Sequence, residues 1–284
     1  MQNSWETFVR KHPFLICVDS DGCAMDTMNC KHFHCFGPCM VAEWGLEAWR
    51  QPILTRWNEI NLYQMTRGIN RFLGLAQALE EIHQRYTPIP GVEALCSWAR
   101  SAPELSNSAL RQAADAAETP EAKQILTKAL CWSEAVNAGI AALPEAWKVP
   151  FPGVAEGLAA AAEFADVAVV SSANRDAVEA EWAKHGLLQY VDVVLAQDCG
   201  SKAACIARML SFGYERSRVL MVGDAPGDQD AAARNGVFFY PILVRQEAES
   251  WRELTEQGFP RLLQGDYQSY EQEKKCQFSR NLGG

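Results

Sequence analysis

Two segments of the chain carry aspartates in spacings that suit metal-assisted phosphoryl transfer. Asp19-Ser20-Asp21-Gly22, with Asp26 soon after, closes the apolar run Phe14–Val18. Gly223-Asp224-Ala225-Pro226-Gly227-Asp228 closes the run Val219–Val222. Bare carboxylates gathered at one point repel and raise one another's pKa. A hard divalent cation with oxygen ligands removes the conflict. Magnesium suits it, because it accepts a few carboxylates and keeps waters and a phosphate oxygen. Lys202, in Asp198-Cys199-Gly200-Ser201-Lys202, adds a second positive charge. Ser171, at the end of Val167–Val170, adds a neutral donor. A carboxylate nucleophile, a cation and donors around one point match a reaction governed by positioning and charge stabilisation.

These residues meet only if the chain brings its strand ends together. Five apolar runs are too short for helices and rich in β-branched or aromatic residues: Phe14–Val18, Val167–Val170, Val191–Leu195, Val219–Val222 and Val237–Tyr240. Their near-continuous apolarity suits strands of a parallel sheet covered on both faces. Helix-like stretches, among them Ala177–His185 and Lys202–Leu210, separate the last four. The expected fold is therefore α/β, a doubly wound parallel sheet. Ligands of such sheets bind beyond the carboxyl ends of the strands, where Asp19, Asp21, Asp224 and Asp228 lie.

Residues 27–151 hold no good strand. Ile69, Phe72, Leu73, Ala76 and Leu79 form one helical stripe, and Met40, Trp44 and Trp49 begin another. Ala102–Ala142 is Ala-rich and helix-prone, and prolines punctuate the region. The expected division is an α/β core of residues 1–26 and 152–284 with an α-helical cap of residues 27–151. Trp44, Trp49, Trp57, Trp98, Trp132 and Trp147 read as cap core. The polar tail after Asp266 reads as poorly ordered.

With 284 residues, 48% of them apolar, the chain can bury a large core and a second lobe. A net charge of −9 argues against general affinity for nucleic acid or an anionic membrane. Glu6, Arg10 and Lys11 interrupt any secretory signal, and no stretch is long and apolar enough for a membrane span. The ten cysteines then read as reduced thiols of a cytoplasmic protein.

The motif order resembles the haloacid dehalogenase superfamily. A strand followed by DxDGxxxD matches Asp19 to Asp26, and a Ser ending the next core strand matches Ser171. A Lys beginning a later helix matches Lys202, and GDxxxD matches Gly223 to Asp228. The resemblance covers roughly half the chain and implies a HAD-like core with a helical cap. It implies Asp19 as nucleophile forming an aspartyl-phosphate and Asp21 as general acid–base. It implies Ser171 and Lys202 as holders of the phosphoryl oxygens. Asp19, the Asp21 carbonyl and Asp224 would bind Mg2+, with Asp228 behind them or acting through water. Cys23 stands where relatives usually have Thr. Asp21 favours a phosphoester over halide or phosphonate substrates, because a leaving alkoxide needs a proton.

Further candidates surround this set. Ser172 is an alternative to Ser171. Asn174 and Arg175 could touch substrate or belong to a surface loop. Lys31 lies where small-capped relatives face substrate. Arg67 resembles their cap arginine, though a solvated helix-end Arg accounts for it equally well. The Cys/His-rich stretch Cys30–Cys39 invites zinc, but its spacing fits no familiar paired-ligand pattern. The expectation is a magnesium-dependent phosphatase for a small phosphorylated metabolite. A phosphomutase and a catalytically silent ligand-binding protein are the alternatives.

Overall fold

A computed structural model describes residues 5–284. The chain divides into two compact units: residues up to 28 together with 145–284, and residues 29–144.

The first unit is an α/β sheet. Its strands are β1 (Phe14–Val18), β2 (Ala165–Val170), β3 (Val193–Leu195), β4 (Val219–Gly223) and β5 (Phe238–Pro241). All pair in parallel, in the order β3-β2-β1-β4-β5. Val18 is level with Val169 on one side and Val222 on the other. Every residue of β2, β3 and β4 is buried, as expected of strands covered on both faces. The helices that cover them include α1 (Val154–Ala162), α2 (Arg175–Lys184), α3 (Lys202–Leu210) and α4 (Pro226–Asn235). The strand order reverses about β1, so the crevice beyond its carboxyl end is the topological switch point.

The stretch after Asp266 corrects the expectation of a loose tail. It forms a helix, α5 (Tyr267–Asn281), packed on β5. Tyr267, Tyr270 and Phe278 bury their rings, and the Glu271 carboxylate accepts from the Phe239 amide at 2.9 Å. Lys274, buried, pairs with Glu253 and lies 5.2 Å from the Tyr270 ring centroid. A few well-spaced aromatics and paired charges thus outweigh a polar composition.

The second unit is built from helices, with no strand among its residues. Its N-caps follow the sequence: Asn70 accepts from the Phe72 amide at 2.9 Å, Ser106 from Ala109 at 3.2 Å and Thr119 from Ala122 at 3.2 Å. Pro120 takes the first position of the longest helix, Pro120–Ala141, where its missing N–H is harmless. Phe36, Trp57 and Phe72 pack around Trp132 at centroid distances of 6.0, 6.0 and 6.3 Å. Trp44, Trp49 and Trp98 pack partly buried against this core. Trp147 is the exception among the tryptophans read as cap core: it lies in the other unit and is 43% exposed. Two π-helical turns, His32–Phe36 and Glu59–Tyr63, interrupt the regular helices.

Candidate active site

β1 delivers Asp19 directly. The Asp19 amide continues the ladder by donating to the Val222 carbonyl at 3.0 Å. The chain then turns around the Ser20 carbonyl, which accepts from the amides of Ala24 and Met25 at 3.0 and 2.8 Å. Gly22 makes this reversal at φ 82°, a conformation that side chains disfavour. Indole N–H groups pin the turn from two sides. Trp182 donates to Ser20 Oγ and Trp251 to the Cys23 carbonyl, both at 2.9 Å. The Cys23 thiol lies 3.5 Å from the Val222 carbonyl and can donate to it. Burial, then the charges of Asp19, Asp224 and Asp228, push that thiol's pKa well up and keep it neutral. Asp21 is half-buried, and its carboxylate accepts from Thr27 Oγ1. Thr27 was not singled out in the sequence. Its signal is a hydroxyl six residues past a candidate acid, too common a spacing to stand out.

β4 delivers the second pair. Asp224 follows the strand, and Asp228 sits in the first turn of α4. The Asp228 carboxylate reaches back to the Ala225 amide at 3.0 Å and so ties down the helix start. Gly223 makes room for it. A Cβ at Gly223 would come within 2.3 Å of Asp228 Cγ, which no side chain tolerates.

The carboxylate oxygens of Asp19, Asp224 and Asp228 lie within 4.8 Å of one another, and all three residues are buried. This is the one such metal-capable group among the described residues. Lys202 reaches in from the start of α3, its Nζ 2.9 Å from Asp19 and 2.6 Å from Asp228. Ser201 caps that helix by accepting from the Ala204 amide at 3.2 Å, which fixes where the lysine begins. Burial alone would lower the Lys202 pKa, but Asp19 and Asp228 outweigh it and hold it above the ordinary value. Asp19 is the reverse case. Burial raises its carboxyl well above the usual range, Lys202 opposes, and Asp228 and Asp224 add to the rise. Three buried carboxyl groups face a single ammonium, more acidic groups than one cation balances. That surplus, presented by oxygen atoms alone, fits a hard divalent cation.

Ser171 is buried at the end of β2, its amide bonded to the Leu195 carbonyl at 2.9 Å. Its Oγ accepts from the Ala173 amide at 3.1 Å, while Ser172 is exposed. The two next candidates have structural partners. Asn174 caps α2 by accepting from the Ala177 amide at 3.3 Å. Arg175 bonds Asp198 at 2.8 Å, Glu179 at 3.2 Å, the Val194 carbonyl at 3.0 Å and Cys199 Sγ at 3.1 Å.

Lys31 and Arg67 belong to the helical unit. Lys31 ends a short helix, Met28–Lys31. Arg67 lies in a turn rather than at a helix start, is 3% exposed, and donates to the Leu62 carbonyl at 2.9 Å. A second arginine there escaped notice because it opens an apolar stripe. Arg71 donates through Nη1 to Ser133 Oγ at 3.1 Å and Asn137 Oδ1 at 2.7 Å, and lies 5.1 Å from the Phe36 ring centroid. Among the described residues no carboxylate pairs with it. Burial lowers its pKa. The Cys30–Cys39 stretch forms no metal-capable group among the described residues. Its His32 is buried and accepts from Trp57 Nε1 at 3.1 Å.

A family model described as "Haloacid dehalogenase-like hydrolase" matches residues 104–242, which include Ser171, Lys202, Asp224 and Asp228. No curated protein matches the chain in sequence. Among solved structures, a proposed phosphoglycolate phosphatase from Lactobacillus delbrueckii subsp. bulgaricus superposes with a TM-score of 0.52 at 13% identity, over 81% of this chain and 86% of that one. A predicted phosphatase from Clostridium acetobutylicum does so with a TM-score of 0.50 at 12% identity, over 87% and 98%. At such identities the likeness is one of fold. No helix among the described residues is long and apolar enough to cross a membrane.

Proposed function

We propose that the chain, whose residues 104–242 match the haloacid dehalogenase-like hydrolase model, is a magnesium-dependent phosphatase acting on a small phosphorylated metabolite. The supporting observation is the buried meeting of Asp19, Asp224 and Asp228 with Lys202 at the switch point of the sheet.

In this reading an Asp19 oxygen attacks phosphorus and forms an aspartyl-phosphate. Lys202 opposes the rise in that carboxyl's pKa and aims it. Asp21, oriented by Thr27, protonates the leaving alkoxide and then takes a proton from the attacking water. The Ser171 hydroxyl steadies the phosphoryl oxygens. Asp19 and Asp224 hold the cation, with the backbone of Asp21. Asp228 braces the set, since its oxygens already serve Lys202 and the Ala225 amide. The bound cation supplies charge neutralisation for the transferring phosphoryl group. Within the helical unit, Arg71 is a candidate for holding an anionic group.

The test is turnover of p-nitrophenyl phosphate with Mg2+. Asp19→Asn should abolish it while leaving the fold intact by circular dichroism. Full activity in that variant would sink the proposal, and activity that survives thorough chelation would remove the magnesium.

A further inference from the structure

The turn that carries Lys202 is held by two thiols that the proposed chemistry does not use. Cys199 ends a short 3₁₀ turn, Gln197–Cys199, and Gly200 and Ser201 lead from it into α3. Cys205 stands three residues beyond Lys202. Its Sγ lies 3.8 Å from the Cys199 carbonyl and 4.0 Å from the Gly200 carbonyl, so its S–H can cap the turn from within. Arg208 Nη1 adds a bond to the same Cys199 carbonyl at 3.4 Å. On the other side, Arg175 Nη2 donates to Cys199 Sγ at 3.1 Å. Cys199 is 8% exposed and Cys205 1%. A small oxidant therefore meets Cys199 first, at a sulfur already hydrogen-bonded to a guanidinium.

We propose that Cys199 and Cys205 are a peroxide-sensitive thiol pair whose oxidation displaces Lys202. Cys199 attacks a hydroperoxide, giving the Cys199 sulfenic acid and releasing the alcohol or, from hydrogen peroxide, water. Cys205 sulfur then attacks the sulfenic sulfur. The disulfide forms, and the Cys205 proton leaves with the hydroxyl as a second water. Burial, then the neighbouring Cys199, push the Cys205 thiol up to about 11, so until that step it remains the S–H donor that caps the turn. Oxidation removes this donor and pulls the Cys199 sulfur off Arg175. Both anchors of Gly200-Ser201-Lys202 go at once. The lysine sits 2.9 Å from Asp19 and 2.6 Å from Asp228, where a shift of about 1 Å costs on the order of 100-fold in rate.

The test treats the full chain with hydrogen peroxide, quenches it, and digests it with trypsin without reduction. Cleavage after Lys202 separates the two cysteines, so the disulfide shows as peptide 185–202 joined to peptide 203–208. Dithiothreitol should separate them and restore p-nitrophenyl phosphate turnover that oxidation had lowered by tenfold or more, on the order expected for a misplaced group. Cys199→Ser and Cys205→Ser should each retain activity under peroxide. Cys205→Ser should instead trap a dimedone adduct on Cys199. The turnover arm rests on the phosphatase reading, whereas the cross-link and the adduct do not. A chain inactive before oxidation that still yields the cross-link would defeat only that reading. Absence of the joined peptide, or equal loss of activity in Cys199→Ser, would overturn the thiol pair.

Discussion

The α/β unit and the helical unit each draw a cation out of water and satisfy it in opposite ways. Lys202 sits between two carboxylates, Asp19 and Asp228, and its pKa is held up although burial alone would lower it. Arg71 has a hydroxyl, an amide and the face of Phe36, and burial lowers its pKa. One site gathers more carboxyl groups than cations, and the other holds a cation with no carboxylate beside it. The difference separates a region organised around ionic chemistry from one organised around packing, where Trp57 and Trp132 are fully buried.

Lys202→Met is the sharpest way to break this contrast. It should lower kcat on the order of 1,000-fold, a loss typical of removing one strong electrostatic contact from a catalytic site. The same change leaves three buried carboxylates without a counter-ion, so the melting temperature should fall and Mg2+ should recover part of the loss. Trp132→Ala tests the packing side. It should cost about 3 to 5 kcal/mol in denaturant unfolding of the helical unit, with Asp19 chemistry untouched at temperatures where the variant stays folded. An unchanged midpoint would contradict the aromatic core. Mg2+ at about 100 times its Kd should stabilise the wild type by about 2.7 kcal/mol, a gain that Asp224→Asn should largely remove. Thermal melts with and without chelator read both.

Two smaller effects sharpen the comparison within the helical unit. Arg56 grips Glu81 through two nitrogens, at 2.7 and 2.9 Å. That hydrogen bonding, against the opposing effect of burial, lowers the Glu81 pKa. A depressed folded-state pKa gives stability that is full above the ordinary carboxylate range and is lost as pH falls through the lowered value. Wild type should therefore exceed Glu81→Gln by about 1 kcal/mol at neutral pH, and the two should converge in acid. Arg71→Met should change stability by less than about 1 kcal/mol, since an apolar replacement removes a desolvated charge that has no carboxylate to strand. A loss as large as that of a broken buried ion pair would show that Arg71 has an anionic partner after all.

The strands and their end residues could be read from the chain because a strand buried on both faces has a simple signature. β1, β2 and β4 each lead directly into a candidate residue, and the parallel order carries Asp19, Ser171 and Asp224 to the carboxyl end of the sheet. What could not be read depends on where side chains turn after the backbone is placed. Asn174 and Arg175 sit beside the strand end, yet a helix cap and an ion-pair network occupy them. Arg67 and Arg71 are four residues apart, and only the fold shows that one donates to its own turn and the other opens a helix above Phe36. α5 was missed because its burial comes from three aromatics scattered through a polar stretch, too sparse to register as an amphipathic pattern.

Gly223 shows how tightly geometry and charge are joined in this fold. The absent side chain is the space that the Asp228 carboxyl occupies, with its Cγ 2.3 Å from where a methyl would stand. Adding that methyl changes no charge. It would evict the aspartate from Lys202 and from the Ala225 amide together. At this position a neutral, minimal enlargement is therefore equivalent to deleting an ionised group, so mutational tolerance here is set by volume although what is lost is electrostatic.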